Sequence, residues 1–295
     1  LRSGQELLIP EGSYRFLSPI SLPANKIIRF TARGELSFGA RDGIIVQNRH
    51  QVDIFKLHGA TWSDTPVYDN YVGSGITLVN AYHSDVKVHW IDGFRNGIKL
   101  TGQGKNGSQY NKVEFDSLVH NDVGVLLATE SDGEPNWVNE NTFTGGRIAG
   151  RTGLATEKGS GQIDAFNGNK FYNFGFEGLE NGVDVDFFYN NIFIAPRVEQ
   201  VVEPFKFGAK AFENIILANA LYESAFVSNG KVGNPGARTL LLGRLLVPSG
   251  SASGVINISD STGRFLSIMR DPNPGTTSES KSRTLPLSSL PNVSP

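Results

Sequence analysis

Apolar and polar residues alternate in very short runs along most of the chain, and the runs recur. One set opens with glycine: Gly43-Ile-Ile-Val46, Gly75-Ile-Thr-Leu78, Gly97-Ile-Lys-Leu100, Gly124-Val-Leu-Leu127, Gly153-Leu-Ala-Thr156 and Gly182-Val-Asp-Val185. Pro204-Phe-Lys-Phe207 continues it with proline in the glycine place, and the six steps are 32, 22, 27, 29, 29 and 22 residues. A second set follows each member of the first: Val52-Asp-Ile54, Val86-Lys-Val88, Asn111-Lys-Val113, Asn141-Thr-Phe143, Asn169-Lys-Phe171, Asn191-Ile-Phe193 and Asn214-Ile-Ile216. A third apolar beat, at Leu118, Ile148, Phe176, Val198 and Leu221, falls seven residues after each asparagine.

Period-two alternation in such short runs predicts strands, and no window carries helical periodicity. Self-similarity every 20 to 50 residues predicts a stacked array. One unit of three short strands has no core of its own. Stacked at about 4.8 Å, successive units align their inward residues into continuous columns. Each Phe or Val buried there contributes on the order of 1.5–3 kcal/mol. Parallel crossovers are right-handed in nearly all cases. The expected fold is therefore all-β, a right-handed single-stranded parallel β-helix with three short strands per coil. A β-sandwich of unrelated strands would not hold Gly and Asn in phase for so many turns. Asn is expected to occupy a left-handed corner in each coil, with Phe171 and Phe193 in one core column.

The organisation follows from where this phase is kept. Residues 1–42 are short strands punctuated by Pro and Gly, which predict a cap; 43–230 hold the coils. Phase is lost after Asn229-Gly230, so 231–271 are expected to form a small C-terminal β element. The Ser, Thr and Pro-rich stretch 272–295 reads as an extended or disordered tail.

Composition narrows the function classes. The net charge of −2, without a basic stripe, removes the footprint of a nucleic-acid partner. Cysteine is absent, which excludes disulfides and thiolate-held metals. No stretch approaches the roughly 18 apolar residues of a membrane span, so no membrane insertion is expected. The opening LRSGQELLIPEGSYRF lacks the pattern of a signal peptide and starts without methionine, as a fragment or processed chain would. The five histidines are scattered without metal-ligand spacing, and Gly102-x-Gly104-x-x-Gly107 precedes a strand instead of a helix. No Ser–His–Asp arrangement follows from residue order. No metal or cofactor is expected.

LIPEGSYRFLSPISLP, with the recurrent Asn-x-Phe followed by Phe-Glu-Gly or Arg-Val-Glu, resembles the pectate-lyase-like β-helix superfamily over about residues 5 to 230. Within it, the chain looks most like the receptor-binding tailspikes of bacteriophages. That resemblance implies a homotrimer on a virion or otherwise extracellular, binding a bacterial surface polysaccharide and often depolymerising it. Cleavage by glycoside hydrolysis is the expectation; a polysaccharide lyase and a non-catalytic adhesin are the alternatives.

Three outward-facing sets carry candidate chemistry. Glu177 and Glu199, each next to an inward residue of the third beat, stand about 5 Å apart at the backbone, a spacing suited to a hydrolytic carboxylate pair. Arg197 lies two residues before Glu199 on the same face, and Arg147 holds the equivalent place two coils earlier. The alternative for this set is a salt-bridged surface ladder. Insertions in three consecutive coils predict a wall with Tyr110 and Trp137 as sugar-stacking faces and Glu130, Asp132, Glu134, Glu157 and Asp164 as acids. Lys170 and Tyr172, outward on the second strand, have the types of a lyase base and acid. The next two coils put Ile192, Ile194, Ile215 and Leu217 in the same places, which predicts a subunit contact around a threefold axis.

Overall fold

The computed structural model describes residues 4–59, 66–160, 165–222, 240–246, 258–259 and 265–266, with side chains through residue 217. The chain is all-β, 59 % strand, without an α-helix among the described residues. Twenty strands join one parallel sheet that curls into a half-barrel.

Pairing runs along three tracks, and each track reproduces one of the recurring runs. In the first, Ile44, Ile76, Ile98, Val125, Leu154, Val183 and Phe205 are successive partners. In the second the order is Leu7, Phe30, Val52, Val86, Val113, Phe143, Phe171, Phe193 and Ile216. In the third it is Tyr14, Leu36, Leu57, Ile91, Leu118, Ile148, Phe176 and Val198. All but Leu7 and Tyr14, which pack against the margin, belong to a single buried core. Rings of Phe143, Phe171 and Phe193 stack with centroids 5.0 and 4.7 Å apart, one ring per rung.

The glycine that opens each first-track run is required by close approach. A methyl carbon built on Gly43, Gly75, Gly97, Gly124, Gly153 or Gly182 would lie under 3.0 Å from the carbonyl oxygen of the corresponding residue one rung on. The rungs are thus pressed together backbone to backbone at this corner. Pro204 ends the series, and among the described residues no further strand pairs with its own.

The asparagines do not occupy the left-handed corner. Positive φ falls one residue earlier, at Tyr110, Glu140, Gly168, Asn190 and Glu213, as it does at His83 before Ser84. The asparagine that follows is fully buried, and its side-chain amide does the work of a peptide group where the ladder would break. Asn111 Nδ2 donates to Asn141 Oδ1 at 2.9 Å, Asn141 to Asn169 at 3.1 Å, Asn169 to Asn191 at 3.1 Å and Asn191 to Asn214 at 3.2 Å. Each backbone N–H donates to the same oxygen. The column continues upstream through Ser84 and His50, whose Nδ1 accepts from Ile28 N–H at 3.2 Å. Burial without partners would cost about 1–3 kcal/mol per group, so this ladder holds the second corner.

Parallel pairing also extends beyond the expected coil limits. Glu6–Ile9, Ser13–Arg15 and Ile20–Ser21 pair in parallel with strands after residue 28. Leu240–Leu246 adds to Ile215–Tyr222 in the same sense. Ile258–Ser259 and Phe265–Leu266 form a separate antiparallel pair.

Candidate functional site

Glu177 and Glu199 are register partners, as the period of two requires. Both are held by arginine. Arg147 Nε lies 2.8 Å from Glu177 Oε2, Arg197 Nη2 lies 3.8 Å from the same oxygen, and Arg197 Nη1 donates to Glu199 Oε1 at 3.2 Å. Arg197 reaches across Gly175, the register partner of both arginines, because no side chain stands between them. Charges alternate along an open face, the arrangement of a ladder whose individual pairs are worth about 0–1 kcal/mol.

The loop wall is tied to itself. Asp132 accepts from the backbone N–H of Gly104 at 2.7 Å and of Glu134 at 3.0 Å, and these bonds hold its carboxyl below the usual range. Trp137 packs against Gly107, where a methyl group would meet the Cδ1–Nε1 edge of its indole, and its Nε1 donates to Gln109 Oε1 at 3.0 Å. It is a half-buried anchor with its polar edge satisfied. Tyr110, in the left-handed corner, stays exposed and stacks on His83 at 5.4 Å, with Tyr82 edge-on at 5.8 Å. Glu130 bonds Gln103 and Thr101, Glu157 ends the strand Arg147–Glu157, and Asp164 lies outside the described residues. No group of three or more metal-ligating side chains occurs among the described residues.

Lys170 and Tyr172 sit on one column with Thr142 and Thr144 before them and Ile192 and Ile194 after. Ile215 and Leu217 complete the apolar end, where Ile215 is 37 % exposed.

A different part of the outer face concentrates concavity and chemistry. Two cavities of about 630 and 460 Å³ share Phe55 and His89 and so form one trough. One end is lined by Glu11, Arg33, Glu35 and Asp53, the other by Lys56, Trp90, Asp116 and Ser117. Ser13, Glu35, Lys56, Trp90 and Ser117 are successive register partners. The trough therefore crosses five rungs, about 19 Å at the parallel spacing, room for several sugar rings. Phe55 is 49 % exposed in it and lies 6.3 Å from the His89 ring. His89 Nδ1 is 2.6 Å from Asp116 Oδ2, and Lys56 bonds Glu35 at 3.2 Å while standing 5.8 Å over Trp90. Beside it, His58 Nδ1 lies 2.8 Å from Asp92 Oδ1, and Trp90 Nε1 donates to Asp92 Oδ2 at 2.6 Å.

None of these trough residues stood out in the sequence. His58 and Asp92 are 34 residues apart, and only the third track makes them neighbours. Their signal was a polar–apolar–polar triplet at each rung, Glu35-Leu-Ser37, Lys56-Leu-His58 and Trp90-Ile-Asp92. No family model matches the chain, and no curated protein or solved structure shows significant similarity to it.

Proposed function

We propose that the chain winds as a right-handed parallel β-helix and acts, as a homotrimer on a virion or outside cells, as a tailspike-type protein. It binds a bacterial surface polysaccharide along the trough and depolymerises it by glycoside hydrolysis. Three pairing tracks with steps of about one coil support the winding, and the rule for parallel crossovers supports its hand. The apolar end of the second-track column, Ile192, Ile194, Ile215 and Leu217, fits a contact with a second copy.

The observation that carries the reading is the trough: open, five rungs long, with an exposed Phe55 as a ring-stacking face and a half-buried Trp90 under Lys56, among carboxylates. Aromatic faces beside carboxylates are what a hydroxyl-rich ring needs, since its apolar C–H face stacks and its edges donate hydrogen bonds. The salt-bridged setting of Glu177 and Glu199 favours a structural ladder for that pair and moves the expected cleavage site to the trough.

The protein is incubated with capsular polysaccharides and O-antigens, and reducing ends are counted. Phe55→Ala and Asp116→Asn are expected to weaken binding and turnover, while Glu177→Gln and Glu199→Gln keep turnover. Full binding by Phe55→Ala would sink the trough as the glycan site. Loss of turnover in both glutamine variants would return catalysis to the pair. The lyase alternative draws on Arg33 and Lys56, cations able to face a uronate carboxylate in the trough. Absorbance from an unsaturated uronate product identifies it.

A further inference from the structure

Four consecutive rungs of the third track end in Arg15, Ser37, His58 and Asp92, each the register partner of the next. All four flank inward residues (Tyr14, Leu36, Leu57 and Ile91), so all four belong to the outer face. Asp92 is 8 % exposed, and both its oxygens are used: Oδ2 accepts from Trp90 Nε1 at 2.6 Å, which leaves Oδ1 for His58 Nδ1 at 2.8 Å. A carboxylate only accepts, so Nδ1 carries a proton, and in the neutral ring Nε2 presents its lone pair. That lone pair points away from Asp92, toward the preceding rung. Glu35 Oε2 is 3.7 Å from it, too far for a hydrogen bond, and the other oxygen of Glu35 already accepts from Lys56. An imidazole nitrogen that accepts matches a hydroxyl, and Ser37 offers one: it stands on that rung in register with His58, without a hydrogen bond to it.

From this we infer that Ser37, His58 and Asp92 form a nucleophile, base and orienting carboxylate for hydrolysis of acyl esters. The substrate is an O-acyl group on the polymer that lies in the neighbouring trough. The inference rests on the glycan reading only for that choice of polymer. Such a constellation is recognised by geometry and role, whatever the chain order. Its members here come in the order Ser, His, Asp, spaced by one rung each.

The reaction balances with water alone. Ser37 Oγ attacks the ester carbonyl carbon as His58 Nε2 takes its proton, and the carbonyl electron pair moves onto oxygen. When that pair returns, the bond to the sugar oxygen breaks, and His58 gives its proton to the departing alcohol. Water then loses a proton to Nε2 and attacks the acyl carbon. Ser37 Oγ leaves and recovers that proton, and a carboxylic acid is released. Arg15, exposed and in register with Ser37 one rung before it, is a cation available to the oxyanion.

The test needs no glycan. The full chain is treated with a fluorophosphonate, and labelling is followed by intact mass and peptide mapping, beside turnover of p-nitrophenyl acetate. One adduct on Ser37 is expected, absent in Ser37→Ala and unchanged in Ser131→Ala. His58→Gln should slow labelling by at least about 100-fold, and Asp92→Asn should slow it less. Melting curves that overlay wild type exclude misfolding for each variant. Absence of an adduct, an adduct elsewhere, or equal labelling of His58→Gln would overturn the assignment. None of those results touches glycan binding, and a failed glycan screen leaves the label intact.

Discussion

Asn169 offers a direct test of the ladder. Its Oδ1 accepts from the backbone N–H of Asn141 at 3.0 Å and from Asn141 Nδ2 at 3.1 Å. Its Nδ2 donates to the carbonyl of Val138 at 3.0 Å and to Asn191 Oδ1 at 3.1 Å. In Asn169→Ala, Asn141 Nδ2 keeps the carbonyls of Ser108 and Asn139, and Asn191 Oδ1 keeps the Asn169 N–H. Two groups lose their bonds in the buried corner, the N–H of Asn141 and the carbonyl of Val138. At about 1–3 kcal/mol for each such group, the variant should lose roughly 2–6 kcal/mol. That is a large share of the 5–15 kcal/mol typical of a whole domain. Asn169→Asp should be worse at neutral pH, because it sets a carboxylate oxygen against two other acceptors, and should recover part of the loss in acid. Urea denaturation at one protein concentration measures both, with outward Thr144→Ala as a control expected within about 0.5 kcal/mol. A loss below about 1 kcal/mol for Asn169→Ala would refute the idea that the side-chain amides hold the corner.

Gly153→Ala should destabilise severely, since its methyl would lie 2.4 Å from the Gly182 carbonyl oxygen and against the Phe176 ring, and more than Gly124→Ala, whose methyl would lie 2.8 Å from the Gly153 carbonyl oxygen and against the Cγ2 methyl of Ile148. Thermal melts that rank the two equally would argue against rigid backbone contact as the cause. Burial holds the His50 pKa below its ordinary value of 6.5. Folding therefore excludes a proton that the unfolded chain binds, so stability should fall as pH drops below about 6.5 and level off beneath the folded-state value. His50→Asn, which substitutes the residue type used farther down the column, should remove that slope, and denaturation midpoints across the pH range check it. Ile194→Glu with Ile215→Glu should convert the assembly to monomers with little change in circular dichroism. A wild-type mass already monomeric by light scattering would end the trimer proposal.

The recurring Gly, Asn and Phe determined the all-β array and its register by themselves, because each marks a place where every rung meets the same constraint. Gly occurs where backbones touch, Asn where a corner must replace a peptide hydrogen bond, and Phe where rings stack from rung to rung in the core. One feature of that pattern read wrongly: the left-handed residue precedes the recurring Asn, and its identity varies among Tyr, Glu, Gly and Asn, so it left no sequence signal. The pairing of Glu177 with Glu199 was legible from equal spacing, but the arginine contacts were not, since they depend on Gly175 leaving space between two rungs.

The trough was decided only by tertiary structure. Four of its five rungs precede the asparagine series, and steps such as the 34 residues from Leu57 to Ile91 hide the phase. Short-range order is written in a repeat because neighbouring residues impose it. The shared register of Ser37, His58 and Asp92 depends instead on how much chain each intervening loop takes up before the next rung begins, which no local pattern records.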